Sequence, residues 1–147
     1  MKIFFAFLVV IAGMMAPTQA GINARLSQWV HSNFLAALVS FSVGTLALLT
    51  FALVARIPWP SAAQLSNSPW WIWLGGFCGA FLVTVTIVSA PKLGATTMFA
   101  FLLGGQMLAS LILDHFGIFG YPVQPISLWR VVGVLLLCAG VLLIKNN

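Results

Sequence analysis

Few side chains in this sequence could do chemistry, and their spacing groups them. Gln19 and Asn23 are one helical turn apart with Met15 a further turn back, so a helix would bring two amides and a thioether onto one face. Amides placed this way can hydrogen-bond a polar solute, or they can bond across to another helix and hold a bundle together. Gln106, Ser110 and Asp114 recur at steps of four and form a second stripe. Asp114 is the single acid of the chain. In a low-dielectric setting a lone carboxylate can carry a proton or attract a cation. At the end of an apolar stretch, beside His115 and on the same side as Arg130, it can instead make an interfacial ion pair or a helix-end hydrogen bond. Thr84, Thr86, Ser89, Thr96 and Thr97 could line a polar pathway, although hydroxyls on apolar helices more commonly bond back to their own carbonyls.

These groups do not assemble into a catalytic set. His31 has no Ser or Asp companion, and HExxH, GxSxG and phosphate-cradling glycine patterns are all missing. Enzymatic activity is therefore not expected, and neither is a cofactor. Cys78 and Cys138 lie singly in apolar stretches, without metal-ligand spacing to His or acids, so they read as packing residues and no metal site is expected.

The elements that must position these residues follow from composition. Of 147 residues 62% are hydrophobic and 5% charged, and mean hydropathy is +1.13, where an ordinary soluble domain carries roughly a quarter charged residues. One acid and six Lys and Arg cannot cover the surface of a compact domain in water, so the surrounding solvent is lipid. The formal charge of +5 does not point to nucleic acid, because Lys2, Arg25, Arg56, Lys92, Arg130 and Lys145 are scattered singly instead of forming a patch.

Five apolar stretches each approach the roughly 20 residues that cross hydrocarbon as a helix: 3–20, 34–54, 70–90, 93–113 and 128–144. The predicted fold is thus an all-α integral membrane bundle of five helices forming one domain over residues 1–147. Trp29, Trp59, Trp70, Trp71 and Trp129 fall at the predicted span ends, where indoles prefer the interface. Asn23 to Asn33 reads as a polar connection, and Ala90-Pro91-Lys92-Leu93-Gly94 as a tight turn. Ser40 with Gly44, and Gly75, Gly76, Gly79 and Ala80, form small-residue pairs expected to allow close helix contact. Lys2, an apolar run and Ala-Pro-Thr-Gln-Ala20 imitate a cleavable signal, but an uncleaved first helix is expected because the rest of the chain is itself integral to the membrane.

With five spans, Lys2, Arg56 and Arg130 share one side while Arg25, Lys92 and Lys145 share the other. Positive-inside bias normally fixes insertion, so this balance permits copies in both orientations. An odd number of spans inserted both ways yields an antiparallel dimer with an inverted repeat, an arrangement that places a solute site near the bilayer midplane.

The ordered motifs Gly13-x-x-x-Pro17-x-Gln19-x-x-x-Asn23-x-x-Leu26, Pro91-x-Leu93-Gly94-Ala95, Gly105-Gln106, Ser110, Asp114-His115-x-Gly117 and Arg130-x-x-Gly133 extend over nearly the whole chain. Together they resemble the YdcZ-like family of inner-membrane exporters in the drug/metabolite transporter superfamily. The resemblance implies a five-helix half-transporter of the bacterial plasma membrane, acting as a dual-topology homodimer, with an oppositely oriented paralogue, or as half of a fused chain. Small multidrug resistance transporters, distant relatives, use a first-helix glutamate for proton exchange, whereas this first span has Gln19 and Asn23.

The combined expectation is a small-molecule exporter working as an antiparallel dimer. Gln19, Asn23, Gln106 and Ser110 would bind solute, and Asp114 would be the proton or cation site. The alternative is a membrane assembly or accessory subunit whose amides serve helix contacts alone.

Overall fold

The computed structural model describes residues 2–146. Among the described residues the chain is helical, without strands, and five helices are long and apolar enough to cross a membrane: Ile3–Trp29, Asn33–Val54, Trp70–Leu93, Ala95–Phe116 and Leu128–Lys145. In lipid this outcome is forced, because a helix satisfies every backbone donor and acceptor within its own segment. We name the helices α1 (Lys2–Trp29), α2 (Asn33–Val54), α3 (Ala62–Ser66), α4 (Leu74–Leu93), α5 (Ala95–Phe116) and α6 (Leu128–Asn146). A short 3-10 turn, Trp70–Trp73, leads into α4.

The first helix runs past its expected end at residue 20 and includes the polar stretch up to Trp29. Polarity of Gln19, Asn23, Arg25 and Gln28 does not stop a helix whose backbone bonds are internal, and Arg25 Nη1 donates to Gln28 Oε1 one turn on at 3.1 Å. Pro17 lies inside α1 and withdraws one backbone donor, while the Thr18 hydroxyl donates to the Met14 carbonyl at 3.3 Å beside the gap. The turn ends at Ser32, whose hydroxyl accepts from the Leu35 N–H and caps α2. His31, in that turn, has φ of 54°. At α3, Ser61 and Gln64 form a reciprocal capping box.

The chain divides into two compact units, one through Pro91 and the other from Lys92. The expected five-residue turn between them shrinks to a single residue: α4 continues through Pro91 to Leu93, and Gly94, at φ of 75°, alone breaks the helix before α5 starts.

In the first unit α1 and α2 pack against each other, and the core is Ala36, Ala37 and Ile87 with Leu26, Val30 and Val83 against it. Two alanines on α2 let the backbones approach, and Ile87 of α4 fills the space beside them. Burial is concentrated near the α1–α2 turn. Ala20 and Asn23 of α1 and Ala36 and Ala37 of α2 are buried, whereas residues 3–15 of α1 and 41–51 of α2 are exposed. The pair is therefore tight at the turn and opens away from it. Gly79 of α4 sits 3.5 Å, measured from where its Cβ would be, from the Phe41 ring, but Gly75 and Gly76 face open space and pack on no neighbour among the described residues.

In the second unit α5 packs on α6, and Gly104, Val134 and Val141 are buried there. Gly117, at φ of 61°, ends α5 in the left-handed conformation. The chain then folds back, with the Gln124 N–H donating to the Asp114 carbonyl at 2.8 Å and the Ile126 N–H to His115 Nδ1 at 3.2 Å.

Candidate functional site

In the first unit, α1 brings Gln19 and Asn23 to the same side of an unbroken helix, but in different environments. Asn23 is 4% exposed, near the tight end of the α1–α2 pair, and its Nδ2 is buried without a hydrogen-bond partner among the described residues. An amide donor held away from water with nothing to donate to costs about 1–3 kcal/mol. Met15, two turns before Asn23, is exposed.

Gln19 lies one turn closer to the open end and is exposed. It lines a groove of about 240 Å³ together with Ser40, Phe41, Gly44, Thr45 and Leu48 of α2. The groove lies near mid-height. Gln19 falls three to four residues past the midpoint of α1, roughly 5 Å along the axis, and Thr45 within about 3 Å of the midpoint of α2. Ser40 and Gly44, expected as a packing pair, form part of this groove wall, and a Cβ at Gly44 would meet nothing within 4 Å.

The second unit carries the other stripe. Ser110 and Asp114 line a groove of about 290 Å³ with Met107, Leu111, Arg130, Gly133, Val134 and Leu137. Arg130 Nη1 lies 3.4 Å from Asp114 Oδ2, with each side chain about a third exposed. The same Nη1 donates to the Gln124 carbonyl at 3.3 Å, and Nη2 donates to Gln124 Oε1. The one acid thus joins α5 to the start of α6, and the guanidinium also grips the intervening loop. Exposed Trp129 precedes Arg130, as expected for a residue at headgroup level.

Gln106 does not join this groove. It is exposed on α5, two residues and so roughly 200° around the helix from buried Gly104, and its amide makes no hydrogen bond among the described residues. Sequence spacing put Gln106 and Ser110 on one face, but a step of four advances about 40°, enough to move Gln106 off the α6-facing side.

The hydroxyls of α4 are engaged locally. Thr84 donates to the Ala80 carbonyl and Thr86 to the Val83 carbonyl, each at 2.8 Å, so both hydroxyl protons are used on their own helix. Ser40 and Thr45 were not among the residues singled out for binding from sequence. Small hydroxyls between apolar neighbours give no local signal separating a groove wall from a packing surface. Cys78 is exposed and Cys138 half-buried, and both are free thiols.

Compared with known proteins, residues 4–143 match the protein family described as "Putative inner membrane exporter, YdcZ". One relative, "Inner membrane protein YdcZ" of Escherichia coli (strain K12), is 27% identical over 142 residues, which span 97% of this chain and 94% of that protein. No solved structure matches.

Proposed function

Because the chain belongs to the YdcZ family of inner-membrane exporters and is a multi-pass protein of the bacterial inner membrane, we propose that it exports a small solute as half of an antiparallel dimer of the drug/metabolite transporter type. The observation that carries this reading is the buried, unpartnered amide of Asn23, one turn from the groove that Gln19 lines. An unsatisfied buried donor lowers stability and adds nothing to packing. An acceptor that arrives and leaves, as a transported solute does, would satisfy it.

In this reading Gln19 and Asn23 contribute polar groups to a solute path beside the α1–α2 groove, and Gln106 and Ser110 are the solute-binding candidates of α5. Asp114 first anchors Arg130 and the loop after α5. Its carboxylate is engaged by Arg130, so a cation bound there would have to displace the guanidinium. The chemistry is binding and release, and no bond-making step is proposed. The three-to-three charge balance supports insertion in both orientations and hence a dimer of identical chains, with an oppositely oriented paralogue as the variant arrangement.

The test is an untargeted profile of solutes in the medium of cells carrying the wild-type chain or Asn23→Leu at matched membrane abundance. We expect at least one solute to accumulate outside only with the wild type, and identical profiles would overturn the reading. A paired reporter fused after Lys145 tests the dimer separately: signal on both sides of the membrane supports dual insertion, and signal on one side removes it.

A second reading is favoured at Gln106. An exposed amide near the centre of an apolar span has no water to bond, so a contact with another chain would satisfy it. Glutamine-to-leucine substitution there should weaken assembly if this is so, and leave assembly intact with export lost if Gln106 meets solute.

A further inference from the structure

The α1–α2 groove contains polar groups beyond Gln19, and the hydroxyls of α2 fall into two kinds. Ser42 donates to the Leu38 carbonyl at 2.9 Å and Thr50 to the Leu46 carbonyl at 2.8 Å, each one turn back on its own helix. That is the ordinary fate of a hydroxyl facing lipid, since the helix carbonyl is its only available acceptor. Ser40 and Thr45 do not follow it. Among the described residues neither hydroxyl has a hydrogen-bond partner, and both line the groove with Gln19, whose amide is likewise unpartnered. The groove-lining residues of α2 span an arc of roughly 140° from Ser40 to Thr45, and Ser42 and Thr50 fall outside it, so the division follows the face of the helix.

We propose that Ser40 and Thr45 are solute-binding residues, and that the solute they take is uncharged and carries hydroxyl, amide or carbonyl groups. This rests on the transporter reading above and names its substrate class. A carboxamide and two hydroxyls supply both donors and acceptors, so they pair with groups that also do both. The residues that line the groove include no Lys, Arg, His, Asp or Glu, and an ion brought there would lose its hydration without gaining a counter-charge. The Phe41 ring and Leu48 give the solute an apolar wall. At about 240 Å³ the groove is just below the roughly 300–1,000 Å³ of ordinary small-molecule sites, so one chain encloses a small solute or part of a larger one.

The experiment uses the full chain in its native membrane with Cys78→Ala and Cys138→Ala, and single cysteines at Gln19, Ser40, Thr45, Ser42 and Thr50. The probes are three methanethiosulfonates: neutral hydroxyethyl, cationic trimethylammonium-ethyl and anionic sulfonatoethyl. Each rate is normalised to that reagent's rate with 2-mercaptoethanol. We expect Gln19→Cys, Ser40→Cys and Thr45→Cys to react at least tenfold faster than Ser42→Cys and Thr50→Cys, and the neutral reagent to be at least tenfold faster than either ion at the first three. If Gln19→Cys reacts while Ser40→Cys and Thr45→Cys are as slow as the two controls, the assignment of these hydroxyls falls and the site at Gln19 stands. Uniformly slow reaction at all five positions overturns both. Fast reaction with a charged reagent at Ser40→Cys and Thr45→Cys overturns the uncharged class. Should Gln19→Cys fail to accumulate, Gly44→Cys on the same wall replaces it, because a Cβ there meets open space.

Discussion

Replacing Asn23 with leucine separates a residue kept for function from one kept for folding. Leucine matches asparagine in branching and removes a polar group that is 4% exposed and whose Nδ2 has no partner. Relief of an unsatisfied buried donor is worth about 1–3 kcal/mol in water-soluble proteins. Within membranes polar side-chain contributions run lower, because the reference state also finds partners, and bundle hydrogen bonds average about 0.6 kcal/mol. A gain of about 1–2 kcal/mol is therefore expected. For a chain of this length that raises the unfolding midpoint by roughly 3–6 °C, measured as thermal aggregation or fluorescence in mild detergent. The same variant should lose export. A midpoint that falls by several degrees would falsify the reasoning, since it would show that the Asn23 amide is bonded in the native state and stabilises the bundle. Ile87→Ala is the opposing control: it truncates the one fully buried large side chain among the described residues and should cost about 2–5 kcal/mol.

Three further outcomes test other parts of the structure. Gly117→Ala places a Cβ 2.7 Å from Val123 Cγ2 and 3.3 Å from the Tyr121 carbonyl at a φ of 61°, and should lower stability by about 1–3 kcal/mol, read as a reduced thermal midpoint. Ser32→Ala removes the cap of α2 and should cost about 1 kcal/mol by the same measurement, with Ser32→Gly milder. Arg130→Ala frees both Asp114 and Gln124, and limited proteolysis should cut the 117–127 loop faster while stability drops by only about 1 kcal/mol, because the ion pair is a third exposed.

The spans were legible because lipid demands long apolar helices and composition states that demand directly. The end of α1 was not. Asn23, Arg25 and Gln28 look like loop residues when polarity is the guide, yet a helix already started continues through them at little cost. The Ser61 to Gln64 capping box was a readable signature for α3 that hydropathy overshadowed. At the site, turn spacing singled out Gln19 and Asn23, but not that one is exposed and the other sealed, since that depends on where α2 and α4 pack. Asp114 and Arg130 were individually visible. Their contact depends on a loop that turns back at Gly117, a long-range event beyond any local pattern. Ser40 and Thr45 are the clearest case, because Ser42 and Thr50 have the same chemistry and apolar neighbours and differ only in which side of α2 they occupy.

The α1–α2 pair, tight at its turn and splayed beyond it, has the proportions of a lever. With its fulcrum near Val30, Gln19 lies eleven residues out and Ile3 twenty-seven, or about 16 Å and 40 Å along α1. Pivoting about that end would carry Ile3 about 2.5 times as far as Gln19 so long as Pro17, between them, does not bend the arm. Such a swing would pivot on the buried contacts at the turn without parting them.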